Sequence, residues 1–192
     1  IGWKEMSVIK LIFVRHGEAS DSWDNHPDPG LSKAGIDQAN KLLQKKELNN
    51  LENYSFVSSP KLRAVETAKP LAKKFNKEIE IDKSFIEIPS NDVDINNRQS
   101  WIKDIMMTKK KDLPDFVKIW IDTIYRKTNA FKNNSIIFTH FMVINALISE
   151  ITNSESLIYF NPGYTSIVKI EIKNKKIENF SIEESKKTYI NV

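Results

Sequence analysis

The chain of 192 residues contains no cysteine. This absence excludes disulfide bonds, zinc–thiolate and iron–sulfur sites, and a cysteine nucleophile. The sequence also has no apolar run near the roughly 18 residues that a membrane-spanning helix requires, and residues 1–6 are too few and too polar for a signal peptide. We therefore expect a cytoplasmic protein without a membrane partner, with Met6 as its native first residue and residues 1–5 added by cloning.

Histidine, arginine and glycine are scarce as well. The histidines and arginines are His16, His26, His140, Arg15, Arg63, Arg98 and Arg126. The net charge of +4 therefore comes almost entirely from lysine, and the lysines are scattered along the chain. A scattered pattern is typical of a solvated surface, so it argues against a nucleic-acid partner.

Alternation of strand and helix patterns predicts the fold class. Short apolar runs rich in β-branched residues predict strands at 8–14, 54–58, 78–81 and 135–139, and a C-terminal β-hairpin at 164–172 and 177–182. Helical spacing predicts helices at 33–46, 60–75, 99–110, 114–130 and 142–151. We expect a single α/β domain over residues 1–192: a three-layer sandwich with a mostly parallel sheet and helices on both faces. Residues 85–100 lack periodicity, so segment 85–134 is expected to form a small helical and loop cap.

Three predicted strands end in reactive or cationic side chains. Arg15-His16 follows the first strand, Arg63 lies one helical turn beyond the second, and Thr139-His140 ends the fourth. Carboxyl ends of parallel strands meet at one edge of a sheet, so these groups are expected to converge. Arginine offers paired donors that match phosphate oxygens, so the cluster predicts a site for a phosphoryl group.

Two predicted helix starts border the same edge. Ser59-Pro60 has the pattern of an N-cap followed by a first helical residue, and a second helix is expected to start near Phe141. Free backbone N–H groups at a helix start favour anions. Both helices are therefore expected to add donors to the phosphoryl site.

Four blocks of sequence resemble the histidine phosphatase superfamily, the phosphoglycerate-mutase-like phosphatases. Arg15-His16-Gly17-Glu18 resembles the first motif of that family, and residues 28–39 are similar to its first loop and helix. Residues 58–68 match the second block nearly throughout, and Phe138-Thr139-His140 matches the late histidine block. All four occur in the expected order. The resemblance implies the fold predicted above and a metal-independent phosphatase that hydrolyses a phosphomonoester.

The resemblance also implies a role for each matching residue. His16 would attack phosphorus and carry a phosphohistidine intermediate. The phosphoryl oxygens would be bound by Arg15, His16, Arg63, His140 and the backbone of Phe141. Glu87 would protonate the leaving oxygen as the general acid, with Glu80 and Asp92 as competing candidates. Weaker contacts to the substrate are expected from Ser22, which stands where many members have asparagine, and from Asn25 and Arg98.

No metal or other cofactor is expected, because positioning and electrostatics carry most of phosphoryl transfer. The expected partner is a small phosphorylated metabolite, and a homodimer is left open. Two other enzyme classes remain as alternatives, a phosphoglycerate-type mutase and a phosphohistidine-protein phosphatase. Outside enzymes, the alternatives are a degenerate phosphate-binding protein and a nucleic-acid-binding protein.

Overall fold

The computed structural model describes residues 7–22, 26–90 and 93–183. Within them, six strands form one mixed sheet in the order β3-β2-β4-β1-β5-β6. The strands are β1 (Ile9–Arg15), β2 (Ser55–Ser58), β3 (Ile79–Ile81), β4 (Ser135–Thr139), β5 (Ile167–Lys173) and β6 (Lys176–Ile182). Strands β1 to β4 run parallel, whereas β5 and β6 form an antiparallel hairpin beside β1. The prediction of a mostly parallel sheet with a C-terminal hairpin is confirmed.

Helices cover both faces of this sheet. They are α1 (Lys33–Lys41), α2 (Leu62–Lys74), α3 (Arg98–Met107), α4 (Asp115–Asn129) and α5 (Phe141–Ile151). Helix α1 is shorter than predicted, because the chain tightens into a 3-10 turn at Leu42–Gln44 that keeps Leu42 buried. The helical pattern continued through Leu42, so periodicity alone could not locate this end.

Alternate residues of β1 supply two separate cores. Leu11 and Phe13 point into a core formed with α3, α4 and α5, whereas Ile12 and Val14 point into a core with α2. Successive side chains of a strand face opposite sides, so an uninterrupted apolar run is what a strand buried on both faces requires. The three-layer arrangement expected from the sequence is thereby confirmed.

The 85–134 segment enters the larger core through α4. Trp120 on this helix is only 7% exposed, as expected for a core residue, and Trp101 on α3 stacks against Phe116 with ring centroids 6.3 Å apart. The division of the chain into one domain with a cap stays a prediction. Among the helices of the described residues, none has the length and apolar character to cross a membrane.

Candidate active site

The register of the central strands brings the predicted groups to one edge of the sheet. Arg15 on β1 is paired with Thr139 on β4, and the N–H of His16 donates to the Thr139 carbonyl at 3.0 Å. Four of the predicted residues are at most 2% exposed, namely Arg15, His16, Arg63 and His140. Two arginines and two histidines are therefore buried together, as the strand-end motifs predicted.

The His16 ring is held in one tautomer. Its Nδ1 lies 2.6 Å from the Gly17 carbonyl oxygen, which can only accept, so Nδ1 carries the proton. Its Nε2 accepts a hydrogen bond from Nε of Arg63 at 3.2 Å and is therefore unprotonated. Burial, together with Arg63 and Arg15, holds the pKa of His16 well below its ordinary value. The ring is thus a neutral imidazole whose Nε2 lone pair faces the arginine side chain.

The backbone after His16 is fixed by close packing against α1 and α2. The N–H of Gly17 donates to Oγ1 of Thr67 at 3.0 Å, and that hydroxyl donates to the Arg63 carbonyl at 2.7 Å. A Cβ at Gly17 would lie 2.9 Å from the carbonyl oxygen of Gly35 on α1, so a side chain there would force the helix away. Glycine at this position is therefore required by the close approach of α1.

Helix α2 begins two residues later than predicted. Its first residue is Leu62 rather than Pro60, and the N–H of Leu62 donates to Oδ1 of Asp28 at 3.0 Å. Ser59 does not cap the helix, because its Oγ lies 2.7 Å from Nε2 of His140. The prediction of a Ser59 cap was wrong, although Arg63 still lies in the first turn of the helix.

Arg15 is clamped by the loop between α5 and β5, residues 152–166. Its guanidinium donates through Nη1 to the Pro162 carbonyl at 2.8 Å, and its Cζ lies 4.4 Å from the ring centroid of Tyr164. The Phe141 ring lies on the same guanidinium, 5.2 Å from Cζ. Burial lowers the pKa of Arg15 to about 10, partly offset by Tyr164 and Glu87, so Arg15 remains a cation at neutral pH.

A buried amide on α5 holds this α5–β5 loop in place. Oδ1 of Asn145 accepts the N–H groups of Tyr159 at 2.8 Å and Phe160 at 3.0 Å, while its Nδ2 donates to the Phe141 carbonyl. Asn145 is 0% exposed. The amide therefore connects the first turn of α5 to the loop that contacts Arg15.

Glu87 is the buried carboxylate of the site. It is 8% exposed, its Oε1 accepts the Ile88 N–H at 3.1 Å, and its Oε2 lies 4.0 Å from Nδ1 of His140. Burial raises the pKa of Glu87 to about 7, against the opposing effects of Arg63, the Ile88 N–H and Arg15. Such a carboxyl group is available as both a proton donor and a proton acceptor near neutral pH.

Two side chains fix the segment that carries Glu87. Thr139 Oγ1 donates to the Phe85 carbonyl at 2.7 Å, and Trp120 Nε1 donates to the Ile86 carbonyl at 3.0 Å. Of the competing carboxylates, Glu80 is exposed on β3, and Asp92 lies outside the described residues. The geometry therefore favours Glu87 over Glu80 as the candidate acid.

The weaker candidates have different surroundings. Phe141 is the first residue of α5 and is 3% exposed, with its ring against Arg15 as described above. Ser22 donates its N–H to Oδ1 of Asp21 in the loop after β1, and Arg98 is half-buried at the start of α3. Asn25 lies outside the described residues. Substrate contacts by Ser22, Asn25 and Arg98 stay predictions.

Sequence reasoning missed three groups that support the site, namely Thr67, Asn145 and Tyr164. Asn145 had a usable signal, because it is a lone amide within the apolar run of α5. Thr67 lies four residues after Arg63, which places both on one face of α2.

The part of the chain that the structure describes contains no group of three histidine, cysteine, aspartate or glutamate residues able to hold a metal ion.

Comparison with known proteins identifies the class of fold and site. The family model of the histidine phosphatase superfamily (branch 1) matches residues 11–184. The chain therefore belongs to this superfamily, as the sequence motifs predicted. The superfamily neighbours include both phosphatases and mutases.

Individual relatives differ in sequence identity and in how much of the chain they match. A 2,3-bisphosphoglycerate-dependent phosphoglycerate mutase from Thermoplasma acidophilum is 36% identical over 85 residues, which is 40% of this chain and 40% of that protein. YhfR of Bacillus stearothermophilus is similar in structure, with a TM-score of 0.71 at 20% identity over 93% of this chain and 98% of that one. A putative α-ribazole-5′-P phosphatase from Escherichia coli has a TM-score of 0.69 at 20% identity, covering 91% and 95% of the two chains.

Proposed function

We propose that the protein is a phosphatase that hydrolyses a phosphomonoester through a phosphohistidine on His16, without a metal ion. The observation that carries the proposal is the His16 ring, neutral and with its unprotonated Nε2 beside Arg63. A nucleophilic imidazole needs an unprotonated nitrogen and a fixed ring orientation. The Gly17 carbonyl provides for both by holding the proton on Nδ1. Arg15 and Arg63 supply the positive charge that a metal ion provides in other phosphatases.

Formation of the phosphoenzyme is the first step. The lone pair of His16 Nε2 attacks phosphorus as the bond from phosphorus to the ester oxygen breaks. Protonated Glu87 gives its proton to that oxygen, so the alcohol leaves as a neutral molecule. Arg15 and Arg63 neutralise the charge on the phosphoryl oxygens during this transfer.

Hydrolysis of the phosphoenzyme is the second step. The Glu87 carboxylate accepts a proton from water as the water oxygen attacks phosphorus. The phosphorus–nitrogen bond then breaks, inorganic phosphate leaves, and His16 and Glu87 return to their starting states. A pKa of Glu87 raised to about 7 serves both steps, because the same group must donate a proton and then accept one.

A screen of small phosphomonoesters tests this proposal. We expect turnover by the wild-type protein, unchanged by a metal chelator, and essentially no turnover by His16→Ala. His26→Gln is the matched control, because His26 is an exposed loop histidine outside the cluster. Phosphate trapped on the wild-type protein should be stable in base and lost in acid. Wild-type rates from His16→Ala would overturn the assignment.

Burial of the site supports a small phosphorylated metabolite as substrate. His16 is 1% exposed, so a phosphoryl group must enter a recess to reach Nε2. A phosphohistidine on another protein would have to reach equally far, and a phosphorylated protein in the screen tests that alternative directly. The cytoplasmic location stays a prediction, and so does the homodimer that the sequence analysis left open.

Phosphoglycerate mutase activity is the second candidate, because the 36% identical relative carries that name. A mutase forms the same phosphohistidine but returns the phosphoryl group to a hydroxyl of the sugar acid instead of to water. Following both isomerisation and phosphate release from phosphoglycerate separates the two. Isomerisation faster than phosphate release would replace the phosphatase proposal with the mutase.

A further inference from the structure

Ser59 makes a buried contact with His140 that the two proposed steps do not use. Its Oγ lies 2.7 Å from His140 Nε2, and both residues are 0% exposed. The contact follows from the sheet, because Ser58 is paired with Phe138 and the Ser59 N–H donates to the Phe138 carbonyl at 2.9 Å. Strand register therefore places the Ser59 hydroxyl beside the imidazole that follows β4.

The donors and acceptors around Ser59 and His140 decide the direction of this bond. Burial, together with Arg63, holds the pKa of His140 well below its ordinary value, so the neutral ring carries one proton, on Nδ1 or on Nε2. Ser59 Oγ accepts the Lys61 N–H at 3.3 Å, and its own proton requires an acceptor. Among the described residues, His140 Nε2 is the acceptor within reach of that proton. The hydroxyl therefore donates to Nε2, and the ring proton is on Nδ1.

The other ring nitrogen of His140 lacks a hydrogen-bond partner among the described residues. Nδ1 of His140 is buried and makes no hydrogen bond to any described residue. It lies 4.0 Å from Glu87 Oε2, and its ring is edge-on to the His16 ring with centroids 5.2 Å apart. Buried donors are nearly always paired in proteins, so an unpaired N–H between the nucleophile and the acid points to a ligand atom.

We propose that Ser59 is a positioning residue that sets the tautomer of His140, leaving Nδ1–H to donate to a phosphoryl oxygen of the substrate. With the opposite tautomer, the Nδ1 lone pair would face the phosphoryl oxygens and repel them. The identity of the ligand oxygen rests on the proposed function. The tautomer is a property of the free protein and can be tested without it.

Nitrogen NMR of the histidine rings tests the tautomer. The chain has three histidines, so signals of ring-labelled protein can be assigned with His16→Gln and His26→Gln variants. We expect Nδ1 of His140 to be the protonated nitrogen in the wild-type protein and in Ser59→Thr, which keeps a hydroxyl. In Ser59→Ala this preference should be lost. A protonated Nε2 in the wild-type protein would overturn the proposal.

Ser58→Ala is the matched control for the loss of a buried hydroxyl. Ser58 is adjacent and equally buried, but its Oγ donates to the Ser59 carbonyl at 2.8 Å rather than to a histidine. With p-nitrophenyl phosphate, we expect kcat of Ser59→Ala to fall roughly 10- to 100-fold, the range seen when partners that orient metal-binding imidazoles are removed. Ser59→Thr should recover most of this loss, and Ser58→Ala should stay near the wild-type rate.

Two outcomes separate the proposals from each other. Equal losses of kcat in Ser59→Ala and Ser58→Ala would show a merely structural effect and overturn the positioning role. Titration with inorganic phosphate should shift the Nδ1–H signal of His140 in the wild-type protein. A protonated Nδ1 that ignores phosphate, in a protein without turnover, would refute the proposed function while the tautomer assignment stands.

Discussion

Replacing Glu87 with glutamine should stabilise the protein at pH 8 while removing most of its activity. Burial raises the pKa of Glu87 to about 7, so the folded protein favours the neutral carboxyl group. Glutamine has nearly the same shape and is neutral at every pH. Its side-chain oxygen can still accept the Ile88 N–H that Glu87 Oε1 accepts. Its amide nitrogen cannot accept the Met142 N–H, which also hydrogen-bonds the Glu87 carboxylate, so the variant removes the buried charge and one acceptor.

The sign and size of the effect follow from proton linkage. The pKa of Glu87 in the folded state lies above its ordinary value of 4.5, so the unfolded chain loses this proton first as the pH rises. Stability from the neutral carboxyl group is complete below about pH 4.5 and is lost as the pH rises through about 7. At about 1.4 kcal/mol per pH unit, the difference between 4.5 and about 7 amounts to about 3–4 kcal/mol.

Urea unfolding of wild-type and Glu87→Gln protein across this pH range measures the difference. We expect equal free energies of unfolding near about pH 4.5 and an advantage of about 3–4 kcal/mol for the variant near about pH 8. Glu80→Gln is the control, because Glu80 is exposed on β3. A Glu87→Gln variant less stable than wild type at pH 8, or a difference that does not change with pH, would refute the reasoning.

Activity of the same variant tests the role of Glu87 as acid. Loss of the proton donor should slow hydrolysis of phenyl phosphate, a poor leaving group, far more than that of p-nitrophenyl phosphate. In the wild-type protein the rate with phenyl phosphate should fall as the pH rises through about 7, where Glu87 loses its proton. Equal losses for both esters would show that Glu87 is not the acid.

Three other substitutions test the supports of the site. Gly35→Ala places a methyl group on the Glu18 carbonyl oxygen, so urea unfolding should show a loss of about 2–3 kcal/mol. Thr67→Val removes the acceptor of the Gly17 N–H; we expect about 1–3 kcal/mol lower stability, with Thr67→Ser near wild type. Asn145→Leu leaves two N–H groups of the α5–β5 loop unpaired, so steady-state kinetics should show a higher KM. Asn145→Asp keeps the acceptor for both N–H groups but places an oxygen against the Phe141 carbonyl, so it should recover only part of the loss.

The strand-end motifs were predictable because each one depends on residues that are adjacent in the sequence. An apolar run followed by Arg15-His16 already indicates a buried strand and the edge at which its last residues lie. The alternating burial of Leu11 and Ile12 in two cores follows from the same run. What the sequence could not show is which strands are neighbours, and the β2–β4 pairing is what brings Ser59 to His140.

The features of the site that the sequence predicted wrongly or did not resolve have the same physical origin. Ser59-Pro60 has a good local pattern for a helix start, yet the helix is capped by Asp28, which lies 34 positions away in the chain. The family resemblance placed Glu87 ahead of Glu80, and the physical difference between the two is that Glu87 is buried and Glu80 is exposed. Asn145 stood out as a polar residue in an apolar helix, but its partners lie in a loop without any periodic signal.

The attachment of the Glu87 segment has an evolutionary consequence. Phe85 and Ile86 are held by side chains of β4 and α4, elements that belong to the sheet and the larger core. The segment that carries the carboxylate is therefore anchored by Thr139 of the sheet and Trp120 of α4. Insertions, deletions and substitutions in the segment between Ser90 and α3 would leave both of these hydrogen bonds in place. Evolution can thus vary that segment without removing the contacts that hold Phe85 and Ile86 next to Glu87.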